Sequence, residues 1–230
     1  MNWKKAVKKI IPNNFRNSVL LAMPLFYSTK LVDYETVLRV GGGIDDLILQ
    51  LNRVLGVKGD IIECGSARCG TSIIMARFLL QNKCEKSIYA YDSFEGFDPD
   101  ELADEHKKGF TKVAETTFKD VTYDYVKNKI KKLGFEHRIK PVKGYFKETL
   151  PFLESKLSLA LIDCDLEESM AYCAESLWSK LNSGGCVVFD DYASGIYLGA
   201  KKAVDVFLLK HNSEISEHGM MKRLYYVIKK

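Results

Sequence analysis

Four short apolar runs in this chain each end in a carboxylate: Asp60-Ile-Ile-Glu63, Ile88-Tyr-Ala-Tyr-Asp92, Leu159-Ala-Leu-Ile-Asp163 and Cys186-Val-Val-Phe-Asp190-Asp191. Each run is apolar on both faces and too short for a helix, so each reads as a buried strand. Helical patterns follow three of them. Side chains at the carboxyl ends of parallel strands share one crevice. The pattern therefore concentrates negative charge along one edge of one sheet. Such charge needs hydroxyls, cations or a metal to offset it, which marks the chain as an enzyme candidate.

Strands are expected at 60–64, 87–91, 138–142, 158–163, 185–190 and 222–228, and helices at 71–82, 121–133, 167–181 and 198–210. This alternation predicts an α/β fold: a mostly parallel, Rossmann-like sheet with helices on both faces. Pro141 lies inside one run and is tolerated only on an edge strand, which places 138–142 at the sheet's edge. Arg223-Leu-Tyr-Tyr-Val-Ile228 has no helix immediately before it, so it is expected to pair antiparallel. Upstream, Ile44, Leu47, Ile48, Leu51, Val54 and Leu55 trace a helix face, and Gly56 suits its end. Trp3, Ala6, Val7, Ile10 and Ile11 repeat at helical spacing opposite lysines until Pro12. That helix would pack on the domain or on a second subunit of a homo-oligomer; the alternative is an interfacial helix in residues 1–30 resting on anionic lipid. The expected division is a helical N-terminal extension over 1–56 and a sheet domain over 57–230.

A chain of 230 residues, 47% hydrophobic, suits one compact domain with an appendage. Its net charge of +4 is too mild to argue for nucleic acid, and no basic tract is interleaved with aromatics. Asp92, Glu95, Asp98, Asp100, Glu101, Asp104 and Glu105 form an acidic segment without Lys or Arg. The six cysteines form no Cys-x-x-Cys pair, and several lie in apolar runs, which fits a reducing cytosol. Ser18–Tyr27 is too short to span a bilayer, and Ser28-Thr-Lys30 is a poor cleavage site. A cytoplasmic protein is expected.

Glu63-Cys-Gly65-Ser66-Ala-Arg68-Cys-Gly70-Thr71-Ser72 joins the first strand to a helix. Gly65 permits a tight turn and close approach of a ligand, and Thr71 or Ser72 can cap the helix. The loop lacks the Lys of a phosphate loop and the G-x-G-x-x-G of a pyrophosphate site, so it fits a cofactor without phosphates. Asp92 ends the next strand, where dinucleotide folds place an acid on ribose hydroxyls. An adenosine cofactor without phosphates points to S-adenosylmethionine, whose cationic end would welcome Glu63. A turn-forming role for Asp92 is the competing reading.

Five segments resemble the macrocin O-methyltransferase family: Gly59 to Ser72, Tyr91-Asp-Ser-Phe-Glu-Gly-Phe97, Gly144-Tyr-Phe-Lys-Glu-Thr-Leu-Pro151, Ile162-Asp-Cys-Asp-Leu-Glu-Glu-Ser169 and Val187-Val-Phe-Asp-Asp-Tyr192. The resemblance covers about residues 57–230. It implies a class I S-adenosylmethionine-dependent fold and metal-assisted methylation of a sugar hydroxyl. It also implies that Glu63, Gly65, Thr71, Asp92 and Ser93 line the cofactor, with Ser66 and Ser72 on the same loop and Gly144 and Tyr145 near the adenine. The chain departs from the family at Ala67-Arg-Cys-Gly70, often Trp-Arg-Gly-Gly, and at Cys164, often Gly.

Asp163, Asp190 and Asp191 converge without a Cys/His set, which favours a hard cation such as Mg²⁺, and the resemblance makes these three the ligands. The competing reading has Asp163 capping a helix and Asp190-Asp191 forming a turn. A metal holding neighbouring hydroxyls would orient them and ease deprotonation. His106, in the acidic segment where a lid could sit, is one candidate base; Asp163 is its rival. His137, His211 and His218 have weaker claims. Arg68 could pair with a strand-end carboxylate or meet the cofactor's carboxylate. A nicotinamide oxidoreductase and a non-catalytic relative are the alternatives to an O-methyltransferase acting on a sugar or nucleotide sugar.

Overall fold

The computed structural model describes residues 34–36, 38 and 41–230. The amphipathic pattern at 3–11 and the apolar stretch at 18–27 lie outside the described residues. The elements run α1 (Gly43–Arg53), β1 (Asp60–Cys64), α2 (Gly70–Gln81), β2 (Ile88–Asp92), α3 (Pro99–Lys108), α4 (Tyr123–Lys132), β3 (Ile139–Lys143), a single turn α5 (Phe146–Thr149), β4 (Leu157–Ile162), α6 (Glu167–Trp178), β5 (Leu181–Phe189), α7 (Leu198–His211), β6 (Ile215–Met220) and β7 (Tyr225–Lys229).

The seven strands form one sheet in the order β3-β2-β1-β4-β5-β7-β6. Strands β1 to β5 are parallel, and β7 runs antiparallel to both β5 and β6. Pro141 lies in β3, at one edge as expected, where its missing N–H breaks no inner ladder. The order reverses at β1, which has β2 on one side and β4 on the other, so the crevice for a ligand opens at their carboxyl ends.

Period-two alternation divides each strand between two cores. Ile61, Leu159, Leu161 and Val188 face α1, α2 and α4 through Leu51, Ile73 and Val126. Ile62, Ala160, Ile162 and Phe189 face α6 and α7 through Met170, Leu177 and Phe207. The sheet is thus covered on both faces, as its unbroken apolar strands require.

Three elements depart from the sequence reading. Helix α3 occupies the acidic segment; Asp98 caps it, accepting from Asp100 N at 2.9 Å and Glu101 N at 3.3 Å, and Pro99 opens it. Its core contacts are too few to show an apolar period. Strand β6, Ile-Ser-Glu-His-Gly-Met, is a polar edge strand with no alternation to read. Strand β5 begins four residues early, because Gly184 and Gly185 interrupt its apolar run without ending it. All six cysteines are free. No helix among the described residues is long and apolar enough to cross a membrane.

Candidate active site

The loop after β1 is shaped by a close backbone approach. Gly65 has φ 87°, and a Cβ there would overlap the carbonyl oxygen of Asp163. Its N–H donates to Tyr91 O at 2.9 Å, tying β1 to β2. Ala67 and Cys69 are also left-handed, at φ 41° and 53°. Such strain persists where surrounding contacts over-determine the backbone. One of those contacts is Asp92, whose carboxylate accepts from Ala67 N at 2.8 Å and Phe94 N at 2.7 Å. Burial raises the Asp92 carboxyl, and these two N–H groups oppose the rise.

Glu63 is fully buried and accepts a hydrogen bond from the Ser72 hydroxyl. Burial pushes it up to about 8; the Ser72 bond opposes this and the Asp92 charge adds to it. Glu63 is therefore held largely protonated near neutrality, ready to ionise beside an incoming cation. Ser66 is also buried, and its hydroxyl lacks a hydrogen-bond partner.

The acidic rim follows β4 and β5. Asp163, Asp165 and Asp191 each bring one carboxylate oxygen within 4.8 Å of the others. Asp165 and Asp191 stand in left-handed backbone, at φ 65° and 57°. Burial pushes Asp163 well above its usual range, and Asp190 and Asp191 push it further. Asp165 is raised by burial and by Asp163 and Asp191. Asp191 is raised by burial and by Asp190. Carboxylates so crowded cannot all ionise without a cation, and an all-oxygen donor set fits a hard divalent ion.

Asp190 was expected as the third ligand, but the structure gives it another partner. Arg223 donates from Nε to its Oδ1 at 2.9 Å and from a terminal nitrogen to its Oδ2 at 2.5 Å. Arg223 arrives from the turn between β6 and β7. That turn is pinned by buried Asp46 of α1, which accepts from Arg223 N at 2.7 Å and Leu224 N at 3.1 Å. Asp165 takes the expected place of Asp190 in the cluster, although Asp190 stays against Asp163.

One cavity of about 340 Å³ joins these parts. Of the expected residues, Glu63, Gly65, Ser66, Thr71, Asp92, Ser93, Tyr145, Asp163, Asp190 and Asp191 line it. Ser72 does not, because its hydroxyl is spent on Glu63 behind the wall. Gly144 does not either: its N–H goes to Asp92 O at 3.0 Å, which presents Tyr145 instead. His106 is misplaced as a base. It lies exposed on α3 with Nε2 2.9 Å from Val113 O, away from the cavity. Neither Thr71 nor Ser72 caps α2, whose N-cap is Cys69 with no side-chain bond. Arg68 pairs with Glu35 at 2.9 Å and with Asp120, neither of them a strand-end acid.

Sequence reasoning missed Asp165, Arg223, Glu35 and Thr36, all of which line the cavity. The repeat Asp163-Cys-Asp165 was a usable signal for the first. The others come from distant segments. Phe97, Phe118 and Tyr197 also line the cavity, with ring centroids 5.4 Å apart for Phe97–Phe118 and 6.1 Å for Phe97–Tyr197.

Comparison with known proteins places the chain. The family model described as macrocin-O-methyltransferase matches residues 44–221. The 8-demethyl-8-(2,3-dimethoxy-alpha-L-rhamnosyl)-tetracenomycin-C 4'-O-methyltransferase of Streptomyces olivaceus is 32% identical over 157 residues, covering 65% of this chain and 60% of its own length. The demethyldecarbamoylnovobiocin O-methyltransferase of Streptomyces niveus is 29% identical over 160 residues, covering 67% of this chain and 60% of its own. The chain thus spans about 60% of the length of these curated relatives. Among solved structures, the O-methyltransferase NovP superposes with a TM-score of 0.70 at 19% identity, covering 95% of this chain and 100% of that one. A calicheamicin methyltransferase gives 0.61 at 20% identity, covering 94% and 91%. At these identities the structural likeness is one of fold. The family match spans most of the chain, from α1 to the turn before β7, and the chain belongs to the macrocin-O-methyltransferase family.

Proposed function

We propose that the protein is an S-adenosylmethionine-dependent O-methyltransferase that uses a divalent cation to methylate a hydroxyl of a sugar or sugar-bearing metabolite. One observation carries this reading. The nucleoside-type acid Asp92 and the cluster Asp163, Asp165 and Asp191 face a single cavity across the Gly65 loop.

Asp92, fixed by two backbone N–H groups, keeps its remaining lone pairs for the ribose hydroxyls. Glu63 would face the positive end of the cofactor as a carboxylate, its proton released to solvent on binding. Bound S-adenosylmethionine supplies an activated methyl group. Asp163, Asp165 and Asp191 would hold the cation, with Arg223 bracing Asp190 beside them; the ion's chemistry is to orient neighbouring hydroxyls and lower the pKa of one. The hydroxyl proton would go to a carboxylate oxygen of this rim, with Asp163, at the end of β4, as the candidate acceptor. Phe97, Phe118 and Tyr197 offer ring faces to the C–H face of a sugar or to an apolar group attached to it.

The relatives' names support a sugar-type acceptor: one is named for methylation of a rhamnosyl tetracenomycin. Six free cysteines suit the cytoplasmic setting we assign. The test is calorimetry with S-adenosylhomocysteine, followed by methyl transfer to a panel of glycosides and nucleotide sugars with and without Mg²⁺. Absence of S-adenosylhomocysteine binding would overturn the cofactor reading. Full activity after exhaustive chelation would overturn the cation.

A further inference from the structure

Three consecutive glycines, Gly41-Gly42-Gly43, lead into α1, and none of them lines the cavity. They lie against the turn between β6 and β7. A Cβ on Gly43 would come 3.0 Å from Arg223 Cδ, and one on Gly42 would come 2.9 Å from Lys222 Cδ. Bare backbone at these positions lets α1 and the turn pack closely. The first turns of α1 then pin it. Asp46, 5% exposed, accepts from Arg223 N at 2.7 Å and Leu224 N at 3.1 Å, and Gln50 donates to Met221 Sδ at 3.3 Å. Met221 N donates to Leu224 O at 2.8 Å and closes the turn. The Arg223 guanidinium is therefore aimed by its own backbone.

Its target is the point where two neighbouring acids diverge. Asp190 continues the β5 ladder, its N–H donating to Ile162 O at 3.0 Å. Asp191 turns into left-handed backbone, at φ 57°, and joins Asp163 and Asp165 at the rim. Arg223 meets Asp190 from Nε at 2.9 Å and from a terminal nitrogen at 2.5 Å. Both carboxylate oxygens of Asp190 are thus engaged by one rigid fork. Asp190 nevertheless lies against Asp163, and Arg223 lines the cavity beside Asp163, Asp165 and Asp191. Four carboxylates and one built-in positive charge therefore share this corner. An ion that captured Asp190 would have to part it from the guanidinium, which costs the buried pair.

We propose that Arg223 is a resident counter-ion. It withholds Asp190 from the divalent ion, leaves the ligand set to Asp163, Asp165 and Asp191, and so limits how tightly the rim holds that ion. Ligand charge count is a main determinant of such affinities. Asp46 is a positioning residue that acts through Arg223. The inference rests on the divalent-cation reading and deepens it.

Mn²⁺ binding, read by electron paramagnetic resonance of the free ion, tests this without turnover. Arg223→Gln returns a charged Asp190 to the rim and should tighten Mn²⁺ at least about tenfold. A merely structural role for Arg223 would loosen the rim and weaken binding instead. Arg223→Gln combined with Asp190→Asn exchanges one net-neutral pair for another, and should stay within about threefold of the wild type. If Asp190 is a ligand, this double variant loses at least about tenfold, and the proposal falls. The double variant alone decides if Arg223→Gln does not fold. Asp46→Ala releases the turn and should tighten Mn²⁺ by about threefold, whereas Asp46→Asn keeps an accepting oxygen and should restore the wild-type value. Weaker or unchanged binding by a folded Arg223→Gln also overturns the proposal. If the wild type binds no Mn²⁺, the cation reading itself is wrong and takes the counter-ion with it.

Discussion

Gly65 and the backbone carbonyl of Asp163 approach so closely that a methyl group at position 65 would overlap the oxygen. The loop that would cradle a nucleoside therefore rests directly on the strand end that carries the acidic rim. A displacement of one is transmitted to the other through backbone, with no side chain to absorb it. Gly65 thus sets the distance between the two halves of the cavity, as well as allowing the turn.

Gly65→Ala should damage both halves. The left-handed φ and the overlap together cost on the order of 2–4 kcal/mol. That corresponds to a fall in Tm of about 4–16 °C for a domain of this size. S-adenosylhomocysteine affinity should drop with it. A thermal melt and a titration check both; an unchanged Tm would show that the loop relaxes freely.

Arg223→Gln leaves Asp190, 1% exposed, as a buried charge without its bidentate partner. Breaking a buried pair costs about 3–5 kcal/mol, and the partial exposure of Arg223 points to the lower end. Adding Asp190→Asn to the same chain removes the orphaned charge and should restore at least half of the loss. Chemical denaturation of the single and double variants reads this directly. A double variant no more stable than Arg223→Gln would mean that the pair is not the source of the effect.

Glu63 should make the ligand-free protein lose stability as pH rises. Its folded pKa, about 8, lies above its ordinary value of 4.5, so the folded state holds the proton more tightly. The stability it contributes is fully present below 4.5 and is lost as pH rises towards 8. Glu63→Gln keeps the shape without the proton. Its Tm should vary less over that interval than the wild-type Tm, in scans without ligand or divalent ion. Parallel curves for the two proteins would count against the assignment.

The acidic rim should bind Mn²⁺, and Asp163→Asn or Asp191→Asn should weaken that binding by more than about tenfold. Electron paramagnetic resonance of free Mn²⁺ measures this without turnover. His106→Ala, by contrast, should leave methyl transfer within about twofold, because its ring faces Val113 O on the surface. A large loss there would restore the histidine to the mechanism.

The sheet was legible in the sequence because β1, β2, β4 and β5 are short, apolar and punctuated by acids. Pro141 identified the edge for a reason local to one residue. Helix α3 was hidden because Leu102 and the carboxylates Glu101 and Glu105 form its buried side, leaving no apolar stripe. Glu63, Asp92, Asp163, Asp190 and Asp191 could be read because each closes an apolar run; Asp165 and Glu35, which line the same cavity, close none. Arg223 and Thr36 could not, because their importance lies in what they meet: Asp190 is 33 positions from Arg223, and Thr71 is 35 from Thr36. His106 looked chemical by residue type and neighbourhood, but helix geometry turned it outward.

Arg223 also has a consequence for biosynthesis. The ribosome delivers it after the five parallel strands and the seven helices among the described residues are already made. Until the β6–β7 hairpin zips onto the sheet, Asp190 must wait without its guanidinium. A nascent polypeptide halted before that point could assemble most of its scaffold, yet its acids would still repel one another.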